Sequence, residues 1–225
     1  MLHLRSTAAA IALVVTLAGP ALATDTSKEE IKQLQDATDK APTSPDAHFD
    51  LAMGYARTIK LETAYAELRK VADLDPRYAD KVVTKYEPLF KSNPKNVEAA
   101  FRLAFGYYFK GLNAQQDADT LAKTDKAKAD AASQDATKYK AQARQAFQAI
   151  VEADPKYVWG YNYLGYMIAE SGDLDQGEAT WRKAIGVEDN AVSHFLLGQA
   201  LMKQGRIPEG ALETATAMRM RGLNP

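Results

Sequence analysis

Four pairs of small residues recur along this chain, and a leucine directly precedes the first member of each pair. Three of the pairs are 12 positions apart, and the other is 39 apart, which is 12 plus 27. The pairs are Ala52 with Ala64, Ala104 with Ala143, Gly165 with Gly177, and Gly198 with Gly210; the leucines are Leu51, Leu103, Leu164 and Leu197. Two helices can cross closely only where both lack bulky side chains. A small pair that recurs in this way therefore predicts a recurring helical hairpin.

The distances between the four leucines fit a 34-residue unit with two insertions. Successive leucines are 52, 61 and 33 positions apart, or 34 plus 18, 34 plus 27, and about one unit. Large residues and prolines follow the pairs at matching places: Tyr55, Leu68, Val71 and Pro76 after the first, Tyr107, Phe147, Ile150 and Pro155 after the second, and Trp181 and Ala184 after the third. Over residues 45–218 this pattern resembles the tetratricopeptide repeat, a helix–turn–helix unit. A generic helical bundle is the alternative, and four coincident offsets argue against it.

The resemblance implies an all-α fold, a solenoid of about four helical hairpins with two helical insertions. We expect hairpins near residues 45–75, 97–153, 158–187 and 191–218, within a repeat domain that covers residues 45–225. Residues 112–139 split the second hairpin. Alanine and lysine favour helix there, so we expect two projecting helical extensions, with a disordered loop as the alternative. Residues 24–44 are polar, and a capping box from Ser27 to Glu30 predicts a short helix that covers the first hairpin.

The first insertion, residues 77–94, has apolar residues at helical spacing, which predicts an extra helical segment. Pro88 lies inside it, and proline kinks or breaks a helix. Helices in a hairpin array alternate in direction. One intact extra helix would therefore invert every later helix relative to the first hairpin, whereas two short pieces divided near Pro88 would not. The sequence leaves both arrangements open.

The first 23 residues have the three-part layout of a secretory signal peptide. Arg5 lies in a short polar start, residues 8–18 are apolar, and Ala21, Leu22 and Ala23 form a small–x–small cleavage site. The apolar run has 11 residues, whereas about 20 are needed to span a bilayer. We therefore expect cleavage after Ala23 rather than a membrane anchor, and a periplasmic or secreted protein. The complete absence of cysteine suits an oxidising compartment.

Sequence signals for catalysis and for nucleic-acid binding are weak. The net charge is −1, which gives no electrostatic basis for binding nucleic acid. After the first 23 residues the only histidines are His48 and His194, and each takes a large-residue position three before a repeat leucine. We expect packing roles for both. The sequence has no phosphate-binding glycine loop or metal-spaced cluster, so we expect no enzyme, no cofactor and no metal.

In the family that the chain resembles, the first helix of each hairpin lines a concave groove, which implies a partner-binding site. The residues at these positions are Phe49, Met53, Phe101, Phe105, Tyr108, Phe109, Trp159, Asn162, Tyr166 and Phe195. The first helix of the second hairpin is apolar all round, which is more than a hairpin core needs. A contiguous exposed aromatic strip usually marks a partner site. The alternative is that these aromatics fill the core around the two insertions.

We therefore expect a non-enzymatic scaffold of the cell envelope that binds a protein or peptide segment in this groove. The first alternative is a structural subunit of an envelope or export assembly. It would dock or self-associate through the last hairpin, which no capping helix follows before Pro225. The second alternative is a carbohydrate-binding protein, because stacked aromatic side chains also bind sugars.

Overall fold

The structure, a computed structural model, describes residues 26–58 and 60–222, and the predicted signal peptide lies outside this part of the chain. Ten α-helices and no strand are present in these two ranges. The helices are α1 (Lys28–Lys40), α2 (Pro45–Tyr55), α3 (Leu61–Leu74), α4 (Tyr78–Ser92), α5 (Val97–Leu121), α6 (Lys126–Ala153), α7 (Val158–Glu170), α8 (Leu174–Val187), α9 (Ala191–Lys203) and α10 (Ile207–Met220). None of these helices is long and apolar enough to cross a membrane.

Helices begin and end at residues of the types that cap helices. The side chains of Ser27 and Ser44 accept hydrogen bonds from backbone amides in the first turns of α1 and α2, and Asn190 does the same for α9. Such caps satisfy amide groups that have no partner inside the helix. Gly172 and Gly205 turn the chain within the last two hairpins at φ +101° and +81°, a conformation that favours glycine.

Both glycine pairs lie at helix crossings. A Cβ built on Gly177 would lie 3.3 Å from the carbonyl oxygen of Gly165, and one on Gly198 would lie 2.8 Å from that of Gly210. The four alanines of the first two pairs, Ala52, Ala64, Ala104 and Ala143, are all buried. The backbones of α7 and α8, and of α9 and α10, therefore approach each other where the sequence places its smallest residues.

The second insertion lengthens α5 and α6 into a long helical pair. Helix covers both sides of it, and only residues 122–125 separate the two helices. Ala118, Ala129 and Ala136 are buried along this pair. A Cβ on Gly111 would lie 3.3 Å from the carbonyl oxygen of Ala136, so the two helices pack through small residues here as well.

The first insertion forms one intact helix, α4, with Pro88 inside it. Three contacts show that α4 runs antiparallel to α5. They join Asp80 to Lys110, Val82 to Gly106, and Tyr86 to Arg102. Residue numbers rise along one helix as they fall along the other, as in a hairpin.

The intact α4 reverses the first hairpin relative to the next. Asp50 accepts a hydrogen bond from Arg102 at 2.5 Å, and Glu98 accepts one from Arg57, which directly follows α2. In these contacts the residue numbers rise along α2 while they fall along α5, so these two helices are antiparallel. In contrast, α5 and α7 are parallel, because ring contacts join Phe101 to Tyr157, Phe105 to Tyr163, and Tyr108 to Tyr166.

The reversed first hairpin lies over the inner faces of the later hairpins. The hydroxyl of Tyr163 in α7 donates to the carbonyl oxygen of Ala56 at 2.5 Å, although the two residues are 107 positions apart. Buried residues of α2, α5, α6 and α7 form one hydrophobic core. A smaller core surrounds Trp181 and Leu197 between the last two hairpins.

Candidate functional site

A cleft of about 540 Å³ opens between α3 and the inner faces of α5, α7 and α9. Its walls are mostly leucine and tyrosine: Leu61, Tyr65 and Leu68 from α3, Tyr108 and Leu112 from α5, Tyr166 from α7, and Leu196 from α9. Volume and composition both fall within the range of ligand-binding clefts, which are concave and largely apolar.

The wall formed by α3 follows from its helical periodicity. Leu61, Tyr65 and Leu68 are spaced i, i+4 and i+7, which places them on one face of a helix. Leu68 is buried, whereas the Tyr65 side chain is 51% exposed towards the cleft. Sequence reasoning missed this wall because it assigned groove positions only to the first helix of each hairpin. The signal available in the sequence was the apolar surface of Leu61 and Tyr65, which exceeds what the contact between α2 and α3 needs.

Two neighbouring hollows extend the cleft in both directions. One, of about 440 Å³, lies between α3 and the extended part of α5 and shares Tyr65 and Leu112 with the cleft. The other, of about 350 Å³, lies between α7, α8 and α9 and shares Tyr166 and Leu196 with it. We call the three together the inner trough. It is continuous from the α5 extension to α9.

The predicted exposed aromatic strip is corrected by the structure. Seven of its ten residues are at most 5% exposed: Phe49, Met53, Phe101, Phe105, Phe109, Trp159 and Asn162. Phe105, Phe109 and Asn162 still lie on the floor of the inner trough, whereas the other four do not line it. Tyr108, Tyr166 and Phe195 keep exposed surface there. All of the seven except Asn162 belong to the main hydrophobic core, as the alternative predicted, and the reversed first hairpin packs Arg57 over Phe101 there.

An aromatic cluster joins the first hairpin to α5, α6 and α7. The rings of Phe147 and Tyr163 stack at 5.3 Å, and Phe105 meets Tyr163 edge-on at 4.8 Å. The Arg57 guanidinium lies 4.7 Å from the centre of the Phe101 ring, a cation–π distance. Burial strongly raises the pKa of Tyr163, so its hydroxyl stays neutral and can donate to Ala56.

Beside this cluster, four charged side chains connect α2 with α5. Glu98 accepts hydrogen bonds from Arg57 and, at 2.6 Å, from Arg102, which also donates to Asp50. Burial opposes the charged form of Glu98, but the two arginines outweigh it and lower the pKa of Glu98. We call Asp50, Arg57, Glu98 and Arg102 the ion network.

The comparison with known proteins supports an assignment of the fold. No protein-family model and no curated protein matches the chain. The chain is similar to the crystal structure of a thermophilic TPR protein from Thermus thermophilus, with 18% sequence identity and a TM-score of 0.51 over 85% of this chain and 81% of that one. The fold is that of the tetratricopeptide repeat. A crystal structure of MamA shares 15% identity at a TM-score of 0.41, over 86% of this chain and 87% of that one. MamA from Desulfovibrio magneticus shares 16% identity at a TM-score of 0.40, over 86% and 84%.

Polar side chains line the inner trough beside its apolar residues, and charged side chains of both signs are among them. The hydroxyls of Tyr108 and Tyr166 lie 3.3 Å apart at its rim. Burial, and then the neighbouring Tyr166, raise the pKa of Tyr108 far above its usual value. Asn162 accepts a hydrogen bond from Ser193 at 2.8 Å, while its buried amide nitrogen has no partner. The trough therefore offers neutral and charged hydrogen-bonding groups around an apolar floor.

The two histidines hydrogen-bond to carboxylates at equivalent repeat positions. His48 contacts Glu67 at 2.6 Å, and His194 contacts Glu213 at 2.5 Å. The other ring nitrogen of His48 faces the carbonyl oxygen of Pro42 at 3.0 Å. That of His194 faces Asp189 at 2.7 Å. Neither histidine lines the inner trough, and no cluster suited to a metal ion occurs within residues 26–58 and 60–222.

Proposed function

We propose that the protein is a non-enzymatic scaffold that binds a segment of a partner protein in the inner trough. The observation that carries this proposal is the continuity of the trough across four helices, with Tyr65 and Tyr166 exposed along it. Repeat solenoids bind partners through extended concave surfaces of this kind. Exposed tyrosines with apolar neighbours are typical anchors of protein interfaces.

The walls of the trough favour a segment that inserts apolar side chains. Leucine and tyrosine surround the cleft, and burial of apolar surface is the main source of free energy in such contacts. The hydroxyls of Tyr108 and Tyr166 can then hydrogen-bond to the backbone or to polar side chains of the segment. Charged lining residues of both signs are present, so the trough does not select for one strong charge.

Site-specific photocrosslinking tests this function. A photoreactive phenylalanine analogue would replace Tyr65 in the trough or, as the control, the exposed Lys183 on α8. We expect a partner adduct from position 65 and none from position 183. Adducts from position 183 alone would contradict the proposal.

The affinity of the purified partner provides a second measurement. We expect Tyr166→Ala to weaken binding more than tenfold, since a buried aromatic anchor contributes about 2 kcal/mol or more. The matched change Leu212→Ala, on the exposed face of α10, should leave binding unchanged.

A second candidate function is docking or self-association through the last hairpin. Helix α10 exposes Ile207, Leu212, Met218 and Met220, each at least 41% accessible. Exposed apolar side chains on a terminal repeat can form protein contacts. In the affinity measurement above, a loss with Leu212→Ala and none with Tyr166→Ala would favour this candidate over the trough.

We also propose that the scaffold acts in the periplasm or outside the cell. The layout of residues 1–23 supports export, as does the absence of cysteine.

A further inference from the structure

The first hairpin, α2–α3, lies across the surface that a partner would use. Its reversal brings α3 opposite the inner faces of α5, α7 and α9, where it forms one wall of the inner trough. It also places Ala56 and Arg57 against the aromatic cluster around Phe101 and Tyr163. Without this hairpin, the inner face of α5 and α7 would be an open aromatic surface.

The contact between the first hairpin and the later ones is built differently from contacts elsewhere. Close backbone packing lies mainly within hairpins and between neighbouring helices in the sequence, rather than between α3 and α5, α7 or α9. Buried side chains of α2 join the main hydrophobic core instead, and the ion network and the hydrogen bond from Tyr163 to Ala56 add polar contacts beside it. The cleft of about 540 Å³ lies within the same contact.

Two features weaken the polar part of this contact. The buried Nε of Arg57 has no hydrogen-bond partner, which costs free energy in the closed arrangement. Ion pairs that solvent reaches contribute little, and here the Glu98 and Asp50 side chains are 48% and 45% exposed, whereas those of Arg57 and Arg102 are 16% and 19% exposed. The start of α2 is held by α4, because Phe49 packs on the Tyr78 ring at 5.5 Å and Asp46 accepts a hydrogen bond from the Tyr78 hydroxyl.

We infer that the first hairpin is a displaceable lid on the inner face of α5 and α7, which pivots near Tyr78 and is held closed by the ion network and by the hydrogen bond from Tyr163 to Ala56. The closed lid leaves only the inner trough open. Displacement exposes the aromatic cluster and enlarges the surface that can bind a partner segment. This use of the lid rests on the proposed function, but its movement does not.

Distance measurement between two spin labels tests the lid directly. The described part of the chain has no cysteine, so Ala66→Cys on α3 and Lys183→Cys on α8 give two unique, exposed labelling sites. We expect one dominant short distance in the otherwise unchanged chain. Glu98→Lys places a positive charge beside Arg57 and Arg102, and it should raise the share of a longer distance roughly tenfold, because opposed like charges are costly.

A matched control separates opening from a general loss of stability. Glu178 also lies between two arginines, accepting from Arg182 and from Arg206 at 2.7 Å, but it joins the last two hairpins. Glu178→Lys should leave the distance between positions 66 and 183 unchanged. Tyr163→Phe is a milder opening variant that keeps the ring, and Tyr161→Phe on the same helix is its control.

The lid is supported if Glu98→Lys and Tyr163→Phe lengthen the distance while helix content, measured by circular dichroism, stays constant. It is overturned if both leave the distance unchanged, if Glu178→Lys lengthens it equally, or if the longer distance appears only with loss of helix. These measurements need no partner. A lid that opens without any trough adduct would contradict only the proposed function, and an adduct with an immobile lid would contradict only the lid.

Discussion

Gly165 determines how closely α7 and α8 approach each other at their crossing. A Cβ at this position would lie 2.8 Å from Nε1 of Trp181, whose indole nitrogen donates to the carbonyl oxygen of Asn162 at 3.0 Å. There is no space for a larger side chain unless the tryptophan moves and loses that hydrogen bond. A residue without a side chain is therefore needed where an indole fills the crossing.

Gly165→Leu should overpack this crossing and lower the free energy of unfolding by about 1–3 kcal/mol. Urea denaturation followed by circular dichroism measures the change. Gly186→Ala is the control, because a Cβ there meets nothing within 4 Å. It should be neutral or slightly stabilising, since alanine favours helix over glycine. An unchanged midpoint in Gly165→Leu would contradict the tight crossing.

The Glu67 carboxylate makes the free energy of unfolding depend on pH in the acidic range. Burial opposes its charged form, but hydrogen bonds from Lys70 and His48 outweigh it and lower the pKa of Glu67 below the ordinary 4.5. Because the folded pKa is the lower one, this contribution is fully present above about pH 4.5 and is lost as the pH falls through the folded value.

Glu67→Gln should therefore reduce the loss of stability between pH 7 and the region below pH 4.5. Urea denaturation at both pH values gives the two free energies of unfolding. The exposed Glu62→Gln on the same helix serves as the control and should leave the pH dependence as it is. Equal pH slopes for Glu67→Gln and the unchanged chain would refute the role of this carboxylate.

At the scale of helices, local sequence patterns predicted where helices begin and which ones pair, but not the direction of one hairpin relative to another. Small pairs and capping residues are local, so they placed the hairpins and the helix starts. The direction of one hairpin relative to another depends on how many helices connect them. The sequence left that number open, because Pro88 lies in a segment that the structure shows as the single helix Tyr78–Ser92. The groove prediction took its positions from the pattern of the family, and seven of its ten residues are buried in this structure.

The packing of the long α5–α6 pair through alanine can be tested by substitution. Ala136 is 1% exposed and faces α5 near Gly111, so Ala136→Leu should push the helices apart and cost about 1–3 kcal/mol. Ala131→Leu, at an exposed position of the same helix, should have little effect. Hydrogen exchange of residues 112–121 and the urea midpoint report the change. Similar values for both variants would mean that the extensions do not pack tightly.

At the scale of the whole molecule, the N-terminal helix limits where the proposed signal peptide can be cleaved. Helix α1 covers α2, and a Cβ on Gly54 would lie 2.6 Å from Cδ1 of Leu34. Gln35 donates to the Tyr55 hydroxyl at 2.7 Å, and the backbone amide of Thr26 donates to the carbonyl oxygen of Arg57 at 3.1 Å. The segment from Thr26 onwards is therefore part of the fold, and any cleavage that leaves the fold intact lies before it.

Cleavage after Ala23 meets this requirement, because it removes the apolar run and keeps Thr26, the Ser27 cap and all of α1. Intact mass spectrometry of the exported protein should give a chain that begins at Thr24. Ala23→Lys should block processing, since the cleavage site requires a small residue there, and the precursor should accumulate with the mass of residues 1–225. Ala10→Val, within the apolar run, is the control and should be processed normally. A mature chain that begins after Thr26 would lack the backbone hydrogen bond to Arg57 and would contradict the proposed site of cleavage, and retention of residues 1–23 in a membrane fraction would contradict export as a free protein.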